Sequence, residues 1–97
     1  MFDQAKMLWK ANQVRKDLKR TEIEAKSNDG TISVVVNGEM HIVSVELNEE
    51  ALKPENKRNL EKAIQNTVSE ALSRAQAVAA EKTKQVMKDL NINIPGM

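Results

Sequence analysis

The feature that most constrains this chain is a stretch of more than thirty residues after Pro54 that contains neither glycine nor proline. Its apolar residues recur at helical spacing, so we predict one helix over residues 54–89, with Pro54 in its first turn. One stripe of this helix would hold Leu60, Ile64, Val68, Ala71, Leu72, Ala75, Val78, Ala79 and Val86.

A helix of this length is a rod of about 50 Å. A compact globule of 97 residues is only about 25–30 Å across. The chain cannot cover half of such a rod by itself, so the apolar stripe predicts a partner, and a second copy is the simplest one. The alanines at 75, 77, 79 and 80 predict a close helix-packing surface rather than a membrane-lying helix, because no aromatic anchor accompanies them.

The middle of the chain alternates apolar and polar residues, which is the period of β-strands. We predict three strands over 21–27, 31–37 and 39–47, joined as an antiparallel meander. The first turn would be Asn28-Asp29-Gly30.

Asn37-Gly38 predicts a two-residue type I′ turn, which requires positive φ at both residues. The resulting pairs would be Val36 with Glu39, Val34 with His41 and Ile32 with Val43. The apolar side of the sheet would hold Ile23, Ala25, Ile32, Val34, Val36, Val43, Val45 and Leu47.

A shorter helix is predicted over residues 3–20, with Asp3 near its positive end. The seam that would pack on another helix is Met7, Ala11, Val14 and Leu18. The opposite side is apolar and then basic: Phe2, Ala5, Trp9, Lys16 and Arg20. The expected fold is therefore α+β, one domain over residues 1–90 followed by a flexible tail over 91–97.

The net charge of +1 conceals an uneven distribution. Residues 1–20 carry six basic and two acidic groups, and residues 21–47 carry one basic and five acidic groups. Residues 48–97 carry eight basic and seven acidic groups. The first 20 residues are thus basic although the whole protein is nearly neutral. Their cations could pair with phosphates or could form a solvated helix surface.

Catalysis finds little support in the sequence. There is one histidine, no cysteine and no tyrosine, and no phosphate-binding, dinucleotide or metalloprotease motif. His41 falls within a predicted strand and Glu49-Glu50 precede a helix, where acids commonly complement the helix dipole. We expect a non-enzymatic, cytoplasmic protein with no metal, no cofactor, no small-molecule substrate and no membrane span.

The order of elements resembles one family. The basic amphipathic start MFDQAKMLWKANQVRKDL is followed by the hairpin ISVVVNGEMHIVSVEL, an alanine-bearing helix and a Pro-Gly-Met end. Over nearly the whole chain this looks like the YbaB/EbfC family of bacterial nucleoid-associated proteins. The chain departs from the family pattern at two places. Asn48-Glu49-Glu50 stands where many relatives have Asp-Pro, and a tryptophan at position 9 is unusual.

The resemblance implies a homodimer in which the strands meet and the helices project like tweezers. It also implies binding to double-stranded DNA with little sequence specificity, and a role in nucleoid organisation and gene regulation. The DNA-binding candidates carried over are Lys6, Lys10, Arg15, Lys16, Lys19, Arg20, Arg74, Lys84 and Lys88.

Two other functions fit the same residues. One is a dimeric adaptor or chaperone-like module that binds a protein through the Phe2/Trp9 face. The other is a structural dimer formed with a different subunit.

Overall fold

The protein is described by a computed structural model over residues 4–89. In chain order the elements are helix α1 (Gln4–Arg20), strands β1 (Glu22–Lys26), β2 (Ile32–Asn37) and β3 (Ile42–Leu47), 3₁₀ turns at Glu49–Ala51 and Pro54–Asn56, and helix α2 (Lys57–Asp89). The predicted α+β fold is confirmed. The expectations for Phe2, Asp3 and the tail over 91–97 lie outside the described residues.

A three-stranded antiparallel sheet in the order β1-β2-β3 forms the centre of the molecule. Its core side packs against α2, and the fully buried apolar residues are Ala25, Ile32, Val34, Val36, Ala71 and Ala75. Alanine at 71 and 75 brings the helix close to the sheet, because no larger side chain separates the two layers. The packed stripe predicted for this helix is thereby confirmed in its first half, which also contributes Leu60, Ile64, Val68 and Leu72.

The turn between β1 and β2 forms as predicted, with Gly30 at a φ of 76°. Asp29 organises it: one carboxylate oxygen accepts hydrogen bonds from the Thr31 hydroxyl at 2.7 Å, the Thr31 amide at 3.1 Å and the Ser27 hydroxyl at 2.8 Å. These bonds, those from Thr31 first, lower the pKa of the Asp29 carboxyl. The turn is therefore stabilised above the ordinary carboxyl pKa and loses this contribution as pH falls through the lowered value.

The predicted β2–β3 register is wrong. Val36 lies opposite Ile42, Val34 opposite Val45 and Ile32 opposite Leu47, with an irregularity between Val35 and Val36. The loop is longer than two residues, and β3 starts at Ile42 rather than at residue 39.

The cause of the longer loop is the side chain of Asn37. Its Oδ1 accepts hydrogen bonds from the amides of Glu39 at 2.9 Å and His41 at 3.1 Å, which closes the loop around Asn37. The residue with positive φ is Met40, at 67°, whereas neither Asn37 nor Gly38 adopts positive φ. The type I′ turn expected from the Asn-Gly pair is therefore replaced by an Asn-centred loop.

Glycine is required at position 38 for a different reason, which is contact with the end of α1. The Gly38 amide donates to the carbonyl oxygens of Leu18 at 2.8 Å and Thr21 at 3.0 Å. A Cβ at this position would lie 2.8 Å from Leu18 Cδ2 and 2.9 Å from the Leu18 carbonyl oxygen. This close approach fixes the C-terminal end of α1 on the hairpin.

The rest of α1 is held loosely. Val14 and Leu18 are half-buried, but Met7 is 43% exposed and Ala11 is exposed, so the predicted seam packs only in its second half. The Lys82 ammonium reaches Asp17 Oδ2 at 2.6 Å and joins α2 to α1.

The molecule is elongated, as the predicted rod requires. Its extents are 64 × 26 × 14 Å and its radius of gyration is 18.1 Å. A compact chain of this length would have a radius of gyration of about 12–13 Å. The C-terminal half of α2 therefore extends past the sheet, where α1 is its one neighbour among the elements of residues 4–89.

Replacing Gly38 by alanine tests the contact with α1. The added methyl group must displace Leu18 or break the amide bond to its carbonyl, so we expect a loss of about 1–3 kcal/mol in the free energy of unfolding. Urea unfolding measures it. Gly30→Asn is the matched control, because asparagine tolerates positive φ and nothing lies near Gly30. Equal stability of Gly38→Ala and wild type would contradict the close-approach account.

Lys82→Met tests the link between the helices. A surface ion pair contributes about 0–1 kcal/mol, so global stability should barely change. The amides of α1 should nevertheless exchange several-fold faster with solvent, because the helix loses its tie to α2. Glu70→Gln, which removes an ion pair within α2, should leave α1 exchange unchanged. Identical α1 protection in all three proteins would show that the pair does not hold the helix.

Candidate nucleic-acid interface

The basic segment predicted from the sequence forms most of the surface of α1. Its six cations are Lys6, Lys10, Arg15, Lys16, Lys19 and Arg20, of which all but the half-buried Lys10 are exposed. The only acidic residue in the helix is Asp17, and Lys82 already neutralises it. None of the six cations forms a salt bridge with another described residue, so their charges face solvent.

Two open grooves flank this helix. One, of about 430 Å³, lies on the side of α2, and its lining residues are Lys10, Gln13, Val14, Lys16, Asp17, Arg20 and Val86. The other, of about 490 Å³, lies toward the β2–β3 loop, and its lining residues are Asn12, Arg15, Lys16, Lys19, Glu39 and His41. In each groove three cations outnumber one acid, and an open groove of this kind suits an extended polyanion better than a small molecule.

The structure separates the α2 candidates from these grooves. Arg74 Nη2 pairs with Glu70 at 2.7 Å, and its Nη1 donates to the Glu24 carbonyl oxygen at 3.1 Å. Arg74 therefore caps the open edge of β1 and joins it to α2. Lys84 and Lys88 are exposed, but neither lines either of the two grooves.

Sequence reasoning missed Lys82 as part of the site. Lys82 falls between Val78 and Val86 at spacings of four, so it occupies a position of the apolar stripe itself. A single lysine in such a stripe indicates a charged partner on the neighbouring element, which here is Asp17. His41, for which the sequence predicts no chemical role, lies exposed beside Lys19 and Glu39 in the second groove.

Other types of site receive no support from residues 4–89. No group of three or more histidine, aspartate or glutamate side chains in this range could hold a metal ion. Across the same residues, neither helix has the length and apolar character needed to cross a membrane.

Comparison with known proteins agrees with this geometry. The sequence model of the YbaB/EbfC DNA-binding family matches residues 1–90. A nucleoid-associated protein of Pelotomaculum thermopropionicum is 31% identical over 100 aligned positions, covering 96% of this chain and 93% of the relative. A nucleoid-associated protein of Syntrophobacter fumaroxidans is 30% identical, covering 91% of this chain and 83% of the relative.

The fold has also been observed in a solved structure. An uncharacterized protein from Helicobacter pylori superposes with a TM-score of 0.68 over 79% of this chain and 89% of its own, at 19% identity. That likeness concerns the fold. The family match over nearly the whole sequence goes further, and by it the chain belongs to the YbaB/EbfC DNA-binding family.

Proposed function

We propose that this protein binds double-stranded DNA as a homodimer, with little sequence specificity, through its α1 helices. The observation that carries the proposal is the charge of α1, where six cations surround one acid that is already paired. Lys16, Lys19 and Arg20 form the centre of the contact, since they line the two grooves together. Phosphates are equivalent along a duplex, so such contacts position the protein without reading sequence.

Homodimer formation is supported by the apolar surface of β3. Val45 and Leu47 lie opposite buried residues of β2, yet they are 46% and 36% exposed, and Ile42 and Val43 are about half exposed. This edge strand is also open to further pairing, whereas the edge of β1 is charged and capped by Arg74. Apolar patches and open edges of this kind are normally covered by another chain.

A dimer would present two α1 helices on one rigid body. Once one helix engages a duplex, the second binds at a high effective concentration, which raises overall affinity without any new contact. By the same reasoning the protein would act in the bacterial nucleoid, where a non-specific binder contributes to DNA organisation and gene regulation. We propose no catalytic step.

The DNA contact is tested by reversing the charge of three residues together, Lys16→Glu, Lys19→Glu and Arg20→Glu. Binding to a labelled duplex, followed by fluorescence anisotropy, should be abolished because the phosphates meet acids instead of cations. The matched control makes the same charge change at the start of α2, at Lys57, Arg58 and Lys62, which are exposed and remote from the grooves. It should retain most of the affinity.

Salt provides a second readout of the same contact. Wild-type affinity should fall steeply between low and physiological salt and vary little with duplex sequence. Affinity that is insensitive to salt, or a triple variant that binds normally, would remove α1 from the DNA-binding site.

The dimer is tested by Val45→Lys, which places a charge on the apolar side of β3. Wild type should scatter light as about twice 10.9 kDa, and the variant should fall to the monomer mass while remaining folded. Glu46→Lys is the control, since its side chain lies on the opposite face of the same strand and should leave the mass unchanged. A wild-type mass of 10.9 kDa would refute the homodimer.

A protein-binding adaptor is the alternative function, and one observation favours it. Met7, Leu8 and Trp9 are 43%, 65% and 57% exposed, and a partner protein that wraps around this part of α1 could cover these apolar side chains. If the triple charge reversal leaves DNA binding unchanged but Trp9→Ala abolishes binding to a protein partner, the adaptor becomes the better description.

A further inference from the structure

Trp9 is the only tryptophan of the chain, and it lies on the surface of α1 with 57% of its area exposed. An indole in this position gains nothing from the protein's own core, which α1 approaches only through Val14 and Leu18. The proposed phosphate contacts do not require it either. The position of Trp9 therefore indicates that the indole contacts a binding partner in a way that the cations of α1 do not.

The surroundings of Trp9 indicate the chemistry of that contact. The Lys10 ammonium lies 5.7 Å from the centroid of the indole ring. Gln13, Lys16 and Arg20 follow on the same side of the helix at spacings of four, seven and eleven residues. The described part of α1 before Asp17 contains no acid. The partner of this side must therefore be an anion that also offers a flat apolar surface.

A second copy of the same helix does not meet that description, since its cations would face those of the first. A DNA strand meets it fully, because phosphates and stackable bases alternate along one backbone. Lys16 and Arg20 lie about 10 and 16 Å along the helix axis from Trp9. These distances correspond to about three and five nucleotides of one strand.

We propose that Trp9 stacks on an unpaired base of DNA while Lys16 and Arg20 neutralise phosphates of the same strand. This inference rests on the proposed DNA-binding function and adds a preference to it. Bases within a continuous duplex are already stacked on their neighbours, so stacking the indole there would first require opening a base step, whereas a base that has left the stack is available without that cost. The protein should therefore favour DNA that contains a mismatch bubble over a fully paired duplex of the same sequence.

The experiment compares a fully paired duplex with the same duplex carrying a two-base mismatch bubble, using wild type, Trp9→Leu and Trp9→Phe. Wild type should bind the bubble at least about fivefold more tightly, the lower end of what one base–aromatic stack contributes. Trp9→Leu should lose this preference and keep its affinity for the paired duplex. Trp9→Phe should retain part of the preference, because its ring can still stack.

Because the chain has a single tryptophan, its own fluorescence reports on the indole. Emission should be quenched when the bubble DNA binds. Leu8→Ala is the matched control: Leu8 is 65% exposed on another side of α1, and its removal should leave both the preference and the quenching intact. Circular dichroism confirms that each variant keeps its helix content.

Three results would overturn the inference and are distinguishable from one another. If Trp9→Leu keeps the preference, or emission is unchanged with DNA bound, stacking is refuted while the proposed DNA-binding function stands. If wild type binds neither DNA at low salt, both the inference and the proposed function fail. If emission changes with protein concentration in the absence of DNA, and not upon adding DNA, the indole lies in a protein contact.

Discussion

The packing of α2 on the sheet is the contact on which the rest of the structure depends. Ala71 and Ala75 bring the helix so close to Ile32, Val34 and Val36 that all five side chains are completely buried. One helix, however, spans only the width of β1 and β2, and it leaves the equivalent side of β3 in solvent. The same contact therefore completes the small core and creates the apolar surface that we propose for a second copy. At this size a core of a few aliphatic side chains is marginal, which makes additional burial in an assembly physically reasonable.

Helix α1 is attached differently from α2: its C-terminal end is held tightly, whereas the rest of the helix is packed loosely. The Gly38 amide donates a hydrogen bond to the Leu18 carbonyl oxygen at close range, whereas the part of α1 before Leu18 is held by a few half-buried side chains and by the pair of Asp17 with Lys82. A helix anchored in this way keeps its origin fixed and can adjust its direction at little energetic cost. This property suits a ligand such as DNA, whose backbone path varies with sequence and bending.

The sequence predicts secondary structure correctly wherever the spacing of apolar residues favours a single type of element. Both helices and all three strands were predicted, because apolar spacing and the Asn28-Asp29-Gly30 turn each favour one local structure. The predicted β2–β3 register is wrong, since the register depends on whether the Asn37 side chain bonds to the following amides, and the Asn-Gly pair permits either outcome. Arg74 and Lys82 show a related difficulty. Their ion pairs and the backbone contact to Glu24 depend on which elements meet in space, so a list of cations could not separate these residues from those that face solvent.

The net charge of +1 does not argue against a phosphate ligand, because a ligand responds to local charge. At physiological ionic strength, charges separated by more than about 8 Å are largely screened from one another. Glu22, Glu24 and Glu46 are exposed on the side of the sheet that faces away from α2, where they alternate with the core residues. A phosphate beside Lys16 and Arg20 meets a helix surface whose only carboxylate is already paired. Concentrating six cations on α1, with a single acid that is already paired, thus allows a nearly neutral protein to present a strongly cationic surface.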